Sequence, residues 1–406
     1  MALTGYRDAP ARMFPIPLAS YADGVIAALN YLGTDAPLAN LDGAQLLGER
    51  AAMASYRRAG DVAAGGNCRL LPTADGWLAV NLARDYDWDV LPAWLGMDTA
   101  PNWSGVADAL KSRTVGDCVE LGRLLGLATA AMDPPKAEPV SWCKEIYRTD
   151  KPRHSHKNAP LVIDLSSLWA GPLCAHLLGL LGARVVKVES TERPDGMRQG
   201  GGGFFDLLNA GKASVALNLN SRKGIDQLRQ LLLSADIVIE ASRPRALEQM
   251  GLLAEEILAE NSGATWIGIS GHGRELPAAN WIAFGNDAGV AAGLSQILWE
   301  CGGRPMFCGD AIADPLAGLH AAVAAWSSFA GGGGRLLSIA LVDVVTHCIQ
   351  FASLDGGDAI RARTAKWNTF VSPLDIAVPR SRPISGKAPA LGANTVEILS
   401  GLGISC

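Results

Sequence analysis

The chain has 406 residues, of which 49 % are hydrophobic and 18 % are charged, and its formal net charge is −5 at pH 7. This length allows two or three domains, and the acidic balance argues against nucleic-acid binding, which needs a basic surface. No basic segment followed by an apolar stretch opens the chain, and no run approaches the roughly 18 apolar residues of a spanning helix. We therefore expect a cytoplasmic protein without a membrane segment.

Cysteine and histidine patterns give no sign of a metal site. The eight cysteines are scattered without a C-x-x-C pair, which argues against structural zinc and against a disulfide framework. His154 and His156 form the one close histidine pair, and they stand in a polar string that is typical of a solvated loop. We expect no metal.

The first 150 residues predict a helical segment followed by a small α+β domain. A glycine loop at 63–67 leads into a hairpin, whose strands flank the turn Ala74-Asp75-Gly76. Residues 133–159 contain four prolines and the basic string KPRHSHKN, which is typical of a linker. Helices are expected at 21–32, 43–58 and 117–131, and strands at 69–71 and 77–82.

The stretch 160–189 predicts a strand, a helix and a second strand. Val162 and Ile163 belong to a short apolar run, Gly171-Pro172 opens a leucine-rich helix, and Val185 lies in the β-branched run that follows. Beyond it, helices alternate with strands, which favours an open parallel sheet with helices on both faces. The helices are expected at 221–233, 247–260, 288–298, 316–330 and 395–399, and the strands at 236–240, 265–270 and 336–342.

The predicted unit does not carry a nucleotide-binding fingerprint. Its first turn lacks the G-x-G-x-x-G that lets a backbone approach a pyrophosphate, and Trp169 would crowd that approach. The chain also lacks G-x-x-x-x-G-K-[ST] and G-x-S-x-G. We therefore expect neither NAD nor FAD, and composition and periodicity lead no further than an α/β protein with enzyme character.

Nine motifs, taken in order, resemble the class III CoA-transferases, a CaiB/BaiF-like family that also contains the α-methylacyl-CoA racemases. The motifs are VIDLSSLWAGP, LLGLLGARVVKVE, FFDLLNAGKASVALNLN, DIVIEASRPRALEQMGL, IGISGHG, GNDAGVAAGLS, AIADPLAGLHAAVAAW, LLSIALVDVV and KAPALGANTVEILSGLGI. The block GGNCRLLPTADGWLAVNL is similar to the small domain of that family. In the usual order that domain follows the Rossmann-like half, whereas here it precedes it.

The resemblance implies an α/β fold in which a Rossmann-like open parallel sheet forms the large domain. On this interpretation residues 1–150 hold the N-terminal segment and the small α+β domain, and residues 151–159 are a linker. Residues 160–350 form the CoA-binding large domain, and the tail at 351–406 returns to it. Family members form interlocked homodimers, and the resemblance implies the same for this chain.

The implied reaction moves CoA from an acyl-CoA to a free carboxylic acid through an aspartyl anhydride and an aspartyl thioester. The residue that matches the family's nucleophile is Asp314, and Asp310 is the competing choice. The other interpretation of Asp314 is a helix cap, because an Asp before Pro favours a helix start. Gly65 and Gly66 resemble the loop that closes over the intermediate. Their other interpretation is an ordinary entry to the hairpin.

Two alternatives to CoA transfer remain open at this stage. Racemases of the family use a histidine in a G-H-D step, but this chain has Asn286 there, which argues against α-proton exchange. Asp287, the next residue, suits a helix start or a site role equally. The second alternative is a CoA-binding subunit without activity, since Ser190 and Gln249 replace basic residues of the family.

The resemblance also implies which residues meet CoA, the only cofactor expected, which here acts as substrate and carrier. The turn residues would line its nucleotide and pantetheine path, four basic residues are candidates for its phosphates, and one methionine matches the family. These are Ser167, Leu168, Trp169, Ala170, Lys187, Arg198, Lys212, Arg243 and Met250. The apolar content of 281–308 favours a bulky or hydrophobic acid as the acceptor.

Overall fold

The computed structural model describes residues 2–33, 38–96, 102–150, 159–200, 203–352, 357–371 and 376–405. The strands are β1 (Cys68–Pro72), β2 (Trp77–Asn81), β3 (Ala128–Ala131), β4 (Lys144–Arg148), β5 (Leu161–Asp164), β6 (Arg184–Ser190), β7 (Ala213–Leu217), β8 (Ile237–Glu240), β9 (Thr265–Ser270) and β10 (Arg335–Ala340). Short 3₁₀ turns occur at Gly196–Arg198 and Ala278–Asn280.

The helices before the large sheet are α1 (Leu18–Leu32), α2 (Gly43–Leu46), α3 (Glu49–Met53), α4 (Asp85–Asp89), α5 (Leu91–Leu95), α6 (Trp103–Leu110) and α7 (Val115–Leu124). Those that follow are α8 (Ala170–Leu180), α9 (Phe204–Asn209), α10 (Arg222–Ser234), α11 (Arg245–Glu248), α12 (Ala254–Glu260), α13 (Gly285–Ala291), α14 (Leu294–Gly302), α15 (Ala313–Ala330), α16 (Leu341–Ala352), α17 (Gly357–Val371) and α18 (Thr395–Gly401).

The larger sheet has seven strands in the order β4-β10-β9-β8-β5-β6-β7. Its neighbours are parallel except for β4, which pairs antiparallel with β10 at the edge. Helices α8, α15 and α16 bury one face and α10 and α12 the other, and buried aliphatic residues fill both interfaces. The expected α/β fold with an open, mainly parallel sheet is confirmed.

The smaller sheet is antiparallel, with strands in the order β1-β2-β3. The predicted hairpin is confirmed, with Pro72 opposite Trp77. The helix expected at 117–131 is wrong in its second half, because α7 ends at Leu124 and Gly126 takes a positive φ of 79°. Residues Ala128–Ala131 then pair with β2, so sheet pairing outweighs the helical propensity of alanine.

The predicted linker at 133–159 contains strand β4, so that prediction was wrong for 144–148. Most side chains of β4 are charged and exposed, as is typical of an edge strand. This polar composition conceals the strand in the sequence. The basic string at 151–158, with His154 and His156, lies outside the described residues.

Several predicted elements differ at their ends or are interrupted. The helix expected at 43–58 is two short helices, α2 and α3, and those expected at 247–260 and 288–298 are also each divided into two. Strand β10 ends at Ala340, and α16 begins at the next residue. Across the described ranges, no helix is both long enough and apolar enough to cross a membrane.

Candidate active site

The start of α15 lies directly against the turn that precedes α8. A Cβ at Gly318 would come within 2.5 Å of the Ala170 carbonyl oxygen, so only glycine allows the two helices to approach this closely. Asp314 stands one turn earlier on α15, in the first turn of that helix. Two motifs that are far apart in the sequence, 167–170 and 313–318, are therefore neighbours in the fold.

The N-terminus of α13 forms another wall around Asp314. A Cβ at Gly285 would come within 2.3 Å of the Ala311 carbonyl oxygen and 2.7 Å of Asp314 Oδ2, and the backbone of Gly285 hydrogen-bonds to the Asp314 carboxylate. Asn286 Oδ1 accepts a hydrogen bond from the Ala311 amide at 2.8 Å. The amide side chain at this position thus holds the turn that leads into α15.

Arg50, on α3 of the N-terminal segment, closes the site from the other side. Its guanidinium donates to Asp310 through Nη2 at 2.5 Å and through Nε at 2.9 Å. It also lies over the rings of Trp169 and Tyr56, at 5.4 and 5.8 Å from their centroids. No motif in the sequence points to Arg50, because only the pairing of two distant segments brings it to Asp310.

The two candidate carboxylates therefore have different surroundings. Asp310 is fully buried, and both of its oxygens bind Arg50. Asp314 keeps partial access to solvent and makes no ion pair with any residue in the described ranges. The two carboxylates thus differ both in ion pairing and in access to solvent.

Enclosure by protein raises the pKa of Asp314 to about 7. Arg50 opposes this rise, whereas the charges of Asp287 and Asp310 add to it. Some solvent still reaches the carboxylate, but the groups around it replace most of its hydration. A pKa near neutrality leaves Asp314 able to exist as a carboxylate at physiological pH.

Asp287 is a structural residue of α13 that also affects the charge of the site. It accepts hydrogen bonds from Asn81 Nδ2 at 2.7 Å and from the Phe284 amide at 3.1 Å, so it caps the helix and ties it to β2. Burial raises its pKa to about 7. The contacts of Asp287 agree with the helix-start interpretation, and a role in the site stays a prediction.

The residues expected to line the CoA path have unequal access to solvent. Ser167 and Leu168 are exposed, and Leu168 adopts a left-handed φ of 69° while its amide bonds to Asp195 at 3.1 Å. Trp169 and Ala170 are buried, and Trp169 packs edge-on against Phe204. The surface of this turn is therefore formed by Ser167 and Leu168.

Three of the four predicted phosphate ligands are engaged in ion pairs. Lys187 binds Asp195 at 3.0 Å, and Lys212 binds Asp164 at 2.9 Å. Arg198 binds Glu189 through two nitrogens, at 2.5 and 2.8 Å.

The buried lysines around Asp164 favour its charged form. Burial disfavours its charged form, but Lys212 and Lys187 outweigh that effect and hold its pKa below the usual range.

The remaining predicted residues lie at the edges of the site. Gly66 has a positive φ of 83°, and Gly65 packs on the ring of Tyr56, which in turn contacts Arg50. Met250 is half-buried against the core beside β8. Arg243 is half-buried without an ion pair in the described structure.

Within the ranges described, no group of three or more potential ligands could hold a metal ion.

Comparison with known proteins places the site in a sequence family. Residues 160–369 match the family model described as CoA-transferase family III. A (R)-2-hydroxy-4-methylpentanoate CoA-transferase of Clostridioides difficile is 36 % identical over 39 % of this chain and 42 % of its own length. A succinyl-CoA–D-citramalate CoA-transferase of Chloroflexus aurantiacus is 32 % identical over 53 % of this chain and 57 % of its own.

These similarities concern only part of the relatives. The chain spans about half the length of the curated relatives that it matches. A solved CAIB/BAIF family protein from Brucella suis aligns over 61 % of this chain and all of its own, with 19 % identity and a TM-score of 0.45.

Proposed function

The chain belongs to CoA-transferase family III, and we propose that it moves CoA from an acyl-CoA thioester to a free carboxylic acid with Asp314 as the nucleophile. The observation that carries this proposal is the contrast between two neighbouring carboxylates. Asp310 is held by Arg50, whereas Asp314 is unpaired in the described structure and lies at a helix N-terminus.

The proposed reaction has four steps that return the enzyme to its starting form. The Asp314 carboxylate attacks the thioester carbonyl and expels the CoA thiolate, which leaves a mixed anhydride. The thiolate then attacks the aspartyl carbonyl, releases the donor acid and forms an aspartyl thioester. The acceptor carboxylate displaces the thiolate to give a second anhydride, and the thiolate attacks the acceptor carbonyl, which frees Asp314.

The surroundings of Asp314 support these steps electrostatically. Each attack on a carbonyl creates an oxyanion, which the backbone amides at the start of α15 and the nearby Arg50 stabilise. Gly65 and Gly66, adjoining Tyr56, would shield the anhydride from water and then admit the acceptor acid. A bulky or hydrophobic acceptor remains our proposal for the second substrate.

An oxygen-labelling experiment tests the proposal. With an acceptor acid carrying ¹⁸O in both carboxylate oxygens, one labelled oxygen should remain on Asp314 after each full turnover. Peptide mass spectrometry should find the label in the peptide that contains 314. Asp314→Asn should abolish both labelling and transfer, whereas Asp226→Asn, at an exposed site on α10, should alter neither.

The outcomes separate the candidate functions. If no acyl-CoA in a broad panel gives transfer or label, the transferase proposal is wrong. Deuterium uptake at the α-carbon without an acceptor would instead establish the isomerase alternative, although Asn286 is already bound to Ala311.

We also propose a cytoplasmic homodimer, by analogy with the family. Light scattering coupled to size-exclusion chromatography, together with cell fractionation, would test this assembly and its location. A monomeric mass in solution would refute the dimer.

A further inference from the structure

A large cleft separates α7 from the loops around β8 and α13. Its volume is about 1120 Å³, slightly above the range of roughly 300–1,000 Å³ typical of small-molecule sites. One wall is formed by residues 115–126, and the other by Arg243, Arg245 and residues 277–282. We call this space the arginine cleft.

Three arginines line the arginine cleft without a salt bridge to any described residue, although the charge of Asp287 acts on Arg123. Arg123, Arg243 and Arg245 make no side-chain hydrogen bond or ion pair within the ranges that the structure describes. Arg123 lies 4.0 Å from the centroid of the Trp281 ring, and its Nε is buried without a hydrogen-bond partner. Burial lowers the pKa of Arg123 and of Arg243.

Two carboxylates also line the cleft, but they do not neutralise these arginines. Glu120 and Asp133 form no ion pair with them. A guanidinium group that loses hydrating water without gaining a hydrogen-bond partner costs free energy. An anion that enters the cleft offsets this cost, because it accepts the hydrogen bonds that water no longer accepts. Guanidinium groups are well suited to phosphate because they donate paired hydrogen bonds.

The cleft is also within reach of the proposed nucleophile. Ala291, at the C-terminal end of α13, lines the cleft, and Gly285, at the N-terminal end of that helix, contacts Asp314. Six residue steps of 1.5 Å place the two ends roughly 9 Å apart. One short helix therefore borders both the cleft and Asp314.

We propose that the arginine cleft binds the phosphate groups of CoA through Arg123, Arg243 and Arg245. This inference rests on the proposed use of CoA as a substrate. Lys187, Arg198 and Lys212 are already held in ion pairs. The proposal therefore places phosphate binding on a different surface, to which both the N-terminal part of the chain and the large domain contribute. Trp281 and Tyr86 add aromatic surface to the same cleft.

Calorimetric titration with CoA and with pantetheine tests the inference. Wild type should bind CoA more tightly than pantetheine, because only CoA carries phosphates. In the variant carrying both Arg123→Gln and Arg245→Gln, CoA affinity should fall by roughly tenfold for each arginine removed, while pantetheine affinity stays constant. Arg222→Gln, at an exposed site on α10, serves as the matched control.

Two further measurements distinguish a loss of CoA binding from misfolding and from a loss of transfer activity. Arg245 is exposed, so Arg245→Gln alone should leave the circular-dichroism spectrum unchanged and still weaken CoA. Unchanged CoA affinity in the folded variants, equal losses for CoA and pantetheine, or a wild type that binds both equally would overturn the inference. Phosphate-dependent binding in the cleft without any CoA transfer would support the inference and refute the proposed function.

Discussion

Removal of Arg50 tests how the N-terminal segment controls the reactive carboxylate. Arg50→Met keeps the length and most of the packing of the side chain over Trp169 and Tyr56, but it deletes the cation that binds Asp310. Asp310 is then left as a fully buried carboxylate without a partner. The substitution therefore affects stability and the charge state of Asp314 at once.

The magnitudes follow from the geometry of the pair. Breaking a buried ion pair by removing one partner costs ~3–5 kcal/mol of unfolding free energy. Because a quarter of the Arg50 side chain is exposed, we expect a value near ~3 kcal/mol. For a unit charge several ångströms away at an effective dielectric constant of ~20, Coulomb's law gives on the order of 2 kcal/mol, which corresponds to roughly 1.5 pH units.

The assay is the pH dependence of kcat/KM, alongside denaturant unfolding. Arg50 opposes the rise in the pKa of Asp314, which lies at about 7. In wild type, kcat/KM should therefore fall as the pH drops through about 7, and in Arg50→Met this fall should begin at higher pH. Arg50→Lys should restore part of the shift, since it keeps a charge but loses the bidentate geometry. An unshifted acid limb in a folded, less active Arg50→Met would refute the reasoning.

Two further predictions concern the same helix. The folded pKa of Asp314 exceeds its unfolded value, so its contribution to stability is full below pH 4 and is lost as the pH rises to about 7. Asp314→Asn should therefore have a higher free energy of unfolding than wild type at pH 8, by up to about 4 kcal/mol, but not at pH 4. An equal difference at both pH values would contradict the burial argument. Gly318→Ala should lower the free energy of unfolding in urea titrations by ~2–3 kcal/mol, because its Cβ would lie 2.5 Å from the Ala170 carbonyl oxygen. The control is Gly116→Ala in α7, which should be neutral or stabilising because a Cβ there meets nothing within 4 Å.

The large sheet could be predicted because its strands carry a local signal. β5 and β8 are short, fully apolar runs apart from their last residue, and each is followed by a turn and a helix. β4 carries no such signal, because an edge strand with exposed charged residues has the composition of a loop. β3 was missed for a related reason: alanines favour a helix, and only pairing with β2 makes them a strand.

The candidate site was only partly predictable. Asp314 was predicted from its motif, and its role as the nucleophile stays a prediction. Arg50 could not be found, since 260 residues separate it from Asp310. The state of Lys187, Arg198 and Lys212 was equally hidden, because a sequence shows a cation but not whether a buried carboxylate already holds it.

The rearranged order of the chain is consistent with a site that is built within one subunit. Arg50 reaches Asp310 from the N-terminal segment, and Asn81 reaches Asp287 from the small sheet. Arg382, from the C-terminal region, binds Glu49 beside Arg50 at 2.6 and 2.9 Å. The N-terminal segment is thereby joined both to the loop before α15 and to the C-terminal region. The described groups that set the charge around Asp314 (Arg50, Asp287 and Asp310) therefore all come from one chain.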